Sequence, residues 1–293
     1  MNRNMSAIGL KTIERNRKAL SRIVGNMAKN PDTCISYPGK DGKTQVEQYG
    51  YIGEDFGLVL YGARNHDDEV KIRRWNTFAF SDASLKISKV SFEKMRNGEV
   101  FAYCEDEATG NEFEFRLNNI RDFENFPEYS KQMILSEATA NIVALGRVGN
   151  VIFPVEKNED SLKMRAKEED MRRDLIRKLR KGDETAERKL VERSLEIAAT
   201  VRERLKTEDV LSVFEGYLLP YGDDEGAYAV LGDIKGIARL DNVITEETVC
   251  ALTLDVTGVP LRVLVNELDV VGLPMEGMRF MGICDLQGSI KFI

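Results

Sequence analysis

Apolar residues recur with two different periods along the chain, and the changes of period divide it. Leu10, Ile13, Leu20, Val24 and Met27 fall on one helical face, interrupted by Arg17. Asn30-Pro31 ends that helix, because a residue before proline avoids the α region. From residue 56 the period shortens to two. The run 56–61 is apolar, Val70 and Ile72 alternate with Lys71 and Arg73, and Leu85 and Ile87 alternate with Lys86 and Ser88. Phe113, Phe115 and Leu117 alternate with Glu112, Glu114 and Arg116, the pattern of a half-buried strand. Residues 105–110 read as a hairpin loop before it. Charges on one face predict an antiparallel sheet with a solvated side, the N-terminal helix covering the other.

The runs 142–145 and 151–155 flank Gly146-Arg147-Val148-Gly149-Asn150, which reads as a further hairpin. Over 160–206 the helical period returns. Met171, Leu175 and Leu179 form one stripe; Leu190, Ile197, Ala198, Val201 and Leu205 form another. Gly182-Asp183 between them predicts a tight turn with Asp183 as a cap, hence an αα-hairpin. The rest is strand and turn: 210–219, 228–238, 249–256, 260–265, 278–284 and 289–293. About six short strands in that length favour a small barrel, since closure removes exposed edges. The expected fold class is α+β, in three units. Residues 1–156 form an antiparallel sheet with a covering helix, 157–206 a helical hairpin connector, and 207–293 a small all-β barrel. No internal repeat is visible in the residues.

Charge is segregated along this plan. The chain carries 42 basic and 49 acidic residues, net -7. Residues 1–156 hold 21 and 22, residues 157–206 hold 16 and 12 (net +4), and residues 208–293 hold 5 and 15 (net -10). An acidic last unit disfavours a groove that tracks phosphates. The apolar patch Ala7-Ile8-Gly9-Leu10 is too short for a signal segment, and no run approaches the roughly 18 apolar residues of a membrane span. The expectation is a cytoplasmic protein with no membrane partner and reduced cysteines. Cys34, Cys104, Cys250 and Cys284 lie far apart and His66 is the single histidine, so no metal site and no cofactor are expected.

Candidate chemistry is sparse. His66 beside Asp67 and Asp68 offers a general base, but a hydrophilic turn accounts for it more simply. Gly146-Arg147-Val148-Gly149 has the G-x-x-G form of some RNA clamps, though strand-like runs flank it. Phosphate-loop, dinucleotide and nucleophile-elbow motifs are missing. Asp223-Asp224-Glu225 reads as a hairpin tip, because consecutive acids in a turn do not converge on one ion. Arg172, Arg173, Arg177, Lys178, Arg180 and Lys181 make a basic helix face. It is a candidate interaction surface for an acidic partner or nucleic acid, unless Glu168, Glu169 and Asp170 balance it through i,i+4 pairs.

The C-terminal third carries an ordered set of motifs: Leu219-Pro220-Tyr221-Gly222, Tyr228-Ala229-Val230-Leu231-Gly232-Asp233-Ile234, Val265-Asn266-Glu267-Leu268-Asp269, Gly277-Met278-Arg279-Phe280-Met281-Gly282 and Leu286-Gln287-Gly288-Ser289-Ile290-Lys291-Phe292. Together with Ala7-Ile8-Gly9-Leu10 and Val151-Ile152-Phe153-Pro154-Val155, it resembles an uncharacterised bacterial family of clostridial type, domain of unknown function 3881. Asp285 stands where that pattern tends to place tryptophan. The resemblance implies no activity. Arg279, Gln287 and Asn266 are its polar members, and a buried polar network or a ligand site would use them. The function expected is therefore binding or scaffolding by protein–protein contact, with no enzymatic constellation. Nucleic-acid binding by the 171–181 helix and a carboxylate-dependent hydrolase are the alternatives.

Overall fold

The structure is a computed structural model that describes residues 4–39, 42–65, 69–123, 138–155 and 159–292. α1 (Arg17–Lys29) begins later than the apolar spacing predicts, because Asn16 Oδ1 accepts the Ala19 N–H at 3.1 Å and caps it there. The residues before it form 3-10 turns at Ser6–Ile8 and Lys11–Ile13. β1 (Thr33–Pro38), β2 (Thr44–Tyr51), β3 (Phe56–Arg64) and β4 (Val70–Ala79) make an antiparallel four-stranded sheet in chain order. Leu20 and Ile23 of α1 pack with Leu58 and Leu60 of β3.

The second sheet is mixed and ten-stranded. It begins with β5 (Leu85–Lys94), β6 (Val100–Asp106) and β7 (Glu112–Leu117), followed by the turn α2 (Ile120–Phe123) and the long β8 (Ala138–Ile152). Two helices intervene, α3 (Glu159–Arg180) and α4 (Glu184–Arg204), with a short α5 (Val210–Val213) after them. The sheet resumes with β9 (Tyr217–Pro220), β10 (Ala227–Asp241), β11 (Thr248–Val256), β12 (Val259–Asn266), β13 (Val270–Val271) and β14 (Arg279–Phe292).

Its pairing repeats. β5, β6 and β7 form an antiparallel meander whose first strand runs antiparallel to β8 and whose last runs parallel to β14. β10, β11 and β12 form a second meander, its first strand antiparallel to β14 and its last parallel to β8. β8 and β14 pair antiparallel with each other and belong to both circuits. Pairing follows alternation and backbone bonding rather than residue identity, so the sequence conceals this repeat. Among the described residues the strands of 207–293 do not close by themselves. β8, from before the helices, completes their circuit, and one core joins Phe115 and Ile142 to Val230 and Val263.

Three local expectations change. The run 142–145 and the start of 151–155 lie in one strand, β8, which ends at Ile152, not in a hairpin. A Cβ on Gly149 would stand 2.2 Å from Phe280 Cε2, and one on Gly146 would stand 2.9 Å from Val265 Cβ. These glycines admit close neighbours instead of turning the chain. Residues 279–284 and 289–292 likewise belong to one strand, β14. Residues 210–219 are not one strand, because Asp209 Oδ1 accepts the Leu211 N–H at 2.8 Å and caps α5 before β9 starts.

Candidate functional site

Arg279, Asn266 and Gln287 do not converge on one place. Arg279 is 5% exposed and donates Nε to Phe153 O at 2.9 Å and Nη1 to Leu211 O and Phe214 O at 2.8 and 3.1 Å. It ties β14 to the end of β8 and to α5. Asn266 is fully buried; Nδ2 donates to Ser6 O at 3.1 Å and to Glu247 Oε2 at 2.6 Å, and Oδ1 accepts the Leu268 N–H at 2.9 Å. It anchors the N-terminal turns. Gln287 differs: Oε1 accepts from Arg116 Nη2 at 2.5 Å, while its buried Nε2 has no partner. The register of β7 against β14 places Arg116 beside Gln287. His66, Asp67 and Asp68 lie outside the described residues.

Arg116 opens onto a cleft of about 960 Å³ between the two sheets. β4 contributes Arg73, Arg74, Trp75 and Asn76, and the β5–β6 turn contributes Met95, Arg96, Asn97 and Glu99. Acids in the lining come from the β9–β10 turn, Asp224 and Glu225, and from Asp285 of β14. Arg147 of β8 holds Asp285 through Nε at 2.7 Å and Nη2 at 2.5 Å, and Asp224 through Nη1 at 3.2 Å. Asp224 and Asp285 thus serve as ion-pair partners of Arg147. Sequence reasoning missed Arg74 and took Arg116 only as the polar member of an alternation. The signals were the Arg73-Arg74-Trp75 triplet around the single tryptophan, and an arginine between Phe115 and Leu117.

The helical hairpin roots on the large sheet. Leu175, Ile176 and Ala186 are buried, and Ile176 lies against Gly110 in the β6–β7 turn. Asp183 Oδ1 accepts the Thr185 N–H at 2.9 Å and starts α4 after the left-handed Gly182. Arg172, Arg173, Arg177 and Lys178 are exposed on α3 and Lys181 in the turn after it, and the Arg180 side chain lies outside the described ones. Balance comes from within the run, since Asp174 pairs with Lys178 at 2.7 Å and Arg177 at 3.9 Å. Glu168 reaches across to Arg193 of α4 instead, at 2.5 and 2.6 Å. Beyond the root, α4 leaves apolar side chains in solvent: Val191 is 55% exposed, Leu195 66% and Ile197 47%.

These features define a mixed α/β protein with two sheets, an arginine-lined cleft between them and a helical hairpin with an exposed second helix. No helix among the described residues is long and apolar enough to cross a membrane. The chain belongs to the family described as "Domain of unknown function, E. rectale Gene description" (DUF3881), which matches residues 5–288. No curated protein and no solved structure matches it.

Proposed function

We propose that the protein is a binding or scaffold protein that works by protein–protein contact through the α3–α4 hairpin. The observation that carries this reading is the apolar stripe Val191, Leu195 and Ala198, spaced i, i+4, i+7 and exposed along α4. A contiguous apolar face on a solvent-exposed helix loses free energy in water and gains it under a partner. Two packed helices present a groove that takes a third amphipathic helix. The segment 157–206 carries net +4, so the occupant is an acidic amphipathic helix of another protein. Nucleic acid fits α3 less well, because Asp174 sits within the basic run and holds two of its cations.

Leu195→Glu tests the reading. Proteins recovered on the wild-type chain and lost with this variant, yet kept by a Val243→Glu control, are expected to contact the hairpin through an acidic helix. Identical recovery by all three chains, or a stripe that serves only to join two copies of this chain, defeats the proposal. The two pairing circuits support a finer description of the body as two small barrels sharing β8 and β14. Free thiols at Cys34, Cys104, Cys250 and Cys284 support a cytoplasmic setting.

A further inference from the structure

Unlike Arg147, Arg74 and Arg116 of the cleft form no ion pair among the described residues. Arg116 is 8% exposed, and its Nη2 donates to two neutral acceptors, Thr77 O at 2.6 Å and Gln287 Oε1 at 2.5 Å. Among the described residues no carboxylate forms an ion pair with it. Arg74 also lacks an ion pair there; its guanidinium carbon stands 4.1 Å from the Tyr61 ring centre, and its buried Nη1 has no acceptor. Glu99, on the same wall, is held by Asn76 Nδ2 at 3.1 Å and Asn97 Nδ2 at 2.7 Å rather than by an arginine. Burial pushes the Arg116 guanidinium below its ordinary value and the nearby Arg74 adds to that, while Tyr61, Glu99 and Asp285 act the other way. Bare buried atoms gather here: Asn4 Oδ1 and Arg74 Nη1 on cleft residues, Thr77 Oγ1 and Gln287 Nε2 on the direct partners of Arg116. Buried polar groups normally find partners, and buried cations normally find counter-charges.

We propose that this cleft binds a small phosphorylated molecule through Arg74, Arg96 and Arg116. Guanidinium groups match phosphate oxygens in a two-pronged geometry. Arg74, Arg96 and Arg116 form no ion pair among the described residues, and three such guanidinium groups suit an anion with more than one charge. Trp75, Phe101 and Met95 supply apolar surface for an organic part, and about 960 Å³ holds a molecule of nucleotide size. Asp224, Glu225 and Asp285, also in the lining, accept hydrogen bonds from hydroxyls or amines. The ligand class is therefore a phosphate-bearing molecule whose remainder donates hydrogen bonds, such as a phosphorylated sugar or a nucleotide. This site is independent of the hairpin.

Trp75 is the chain's single tryptophan and lines the cleft, so its emission reports occupancy. The full-length protein is titrated with ATP, with inorganic pyrophosphate and with citrate, by fluorescence and by calorimetry. Saturable binding of ATP and pyrophosphate is expected, weakened about tenfold or more by Arg74→Gln or Arg96→Gln, each checked for an unchanged melting temperature. Lys181→Gln on the hairpin leaves the affinity unchanged. No saturable binding at millimolar ATP or pyrophosphate overturns the proposal, as does wild-type affinity in both cleft variants. Citrate binding as tight as that of the phosphates overturns the phosphate assignment.

Discussion

Arg147 and Asp285 clamp β8 to β14 through paired hydrogen bonds of 2.7 and 2.5 Å. Their side chains are only 24% and 13% exposed, so the pair is better shielded than an ordinary surface ion pair. Asp285→Asn is expected to cost about 2 kcal/mol in urea unfolding, because it leaves the guanidinium with Asp224 alone. A double-mutant cycle with Arg147→Gln is expected to return a coupling above about 1 kcal/mol. Strictly additive costs would show that the clamp contributes nothing as a pair.

Glycines at two places respond in opposite directions. Gly149→Ala drives a Cβ to 2.2 Å from the fully buried Phe280 ring, and is expected to destabilise the fold by about 2–3 kcal/mol. Gly25 lies in α1, where an added Cβ would meet nothing within 4 Å and the backbone φ is not positive. Gly25→Ala is expected to stabilise by about 0.5–1 kcal/mol. Thermal or chemical melts of the two variants check both signs.

Acid sensitivity centres on Glu247. Burial alone would raise its carboxyl, but hydrogen bonds from Thr12, from Asn266 and from the Lys11 N–H outweigh burial and hold it below the ordinary 4.5. A depressed folded-state value means the contribution is complete above the unfolded value and drains away as pH falls through the lowered one. The wild type is therefore expected to lose stability between neutral pH and pH values under about 4, and Glu247→Gln to flatten part of that slope. Parallel slopes in urea midpoints against pH would remove Glu247 as the cause.

Root and stripe of the hairpin separate by stability. Ile176→Ala, at a buried contact with the β6–β7 turn, is expected to cost about 2 kcal/mol and to expose 160–206 to trypsin. Leu195→Glu changes an exposed position and is expected to shift stability by less than about 0.5 kcal/mol. A large loss from Leu195→Glu would place that side chain in a packed contact of the chain itself.

Legibility followed locality. The strand at Glu112–Leu117 and the cap at Asp183 are where residue spacing puts them, because alternation and capping act within a few residues. Asn266 caps the turn Glu267–Asp269 for the same reason. Gly146 and Gly149 misled the reading, since a glycine that admits Val265 or Phe280 looks the same in sequence as one that turns the chain. Of the candidate polar residues, Gln287 alone touches the cleft network, and it is buried deep enough that its own alternation pattern points only to a core.

The amino-acid order alone determined the strand Glu112–Leu117, the helical hairpin with its Asp183 cap and the partition of charge, because each depends on neighbours a few positions away. Tertiary structure alone decided that β8 completes the circuit of the C-terminal strands and that Arg116 meets Gln287, 171 positions further on. The physical reason is that strand pairing and burial of a lone cation depend on what the folded chain brings alongside, which no local spacing encodes.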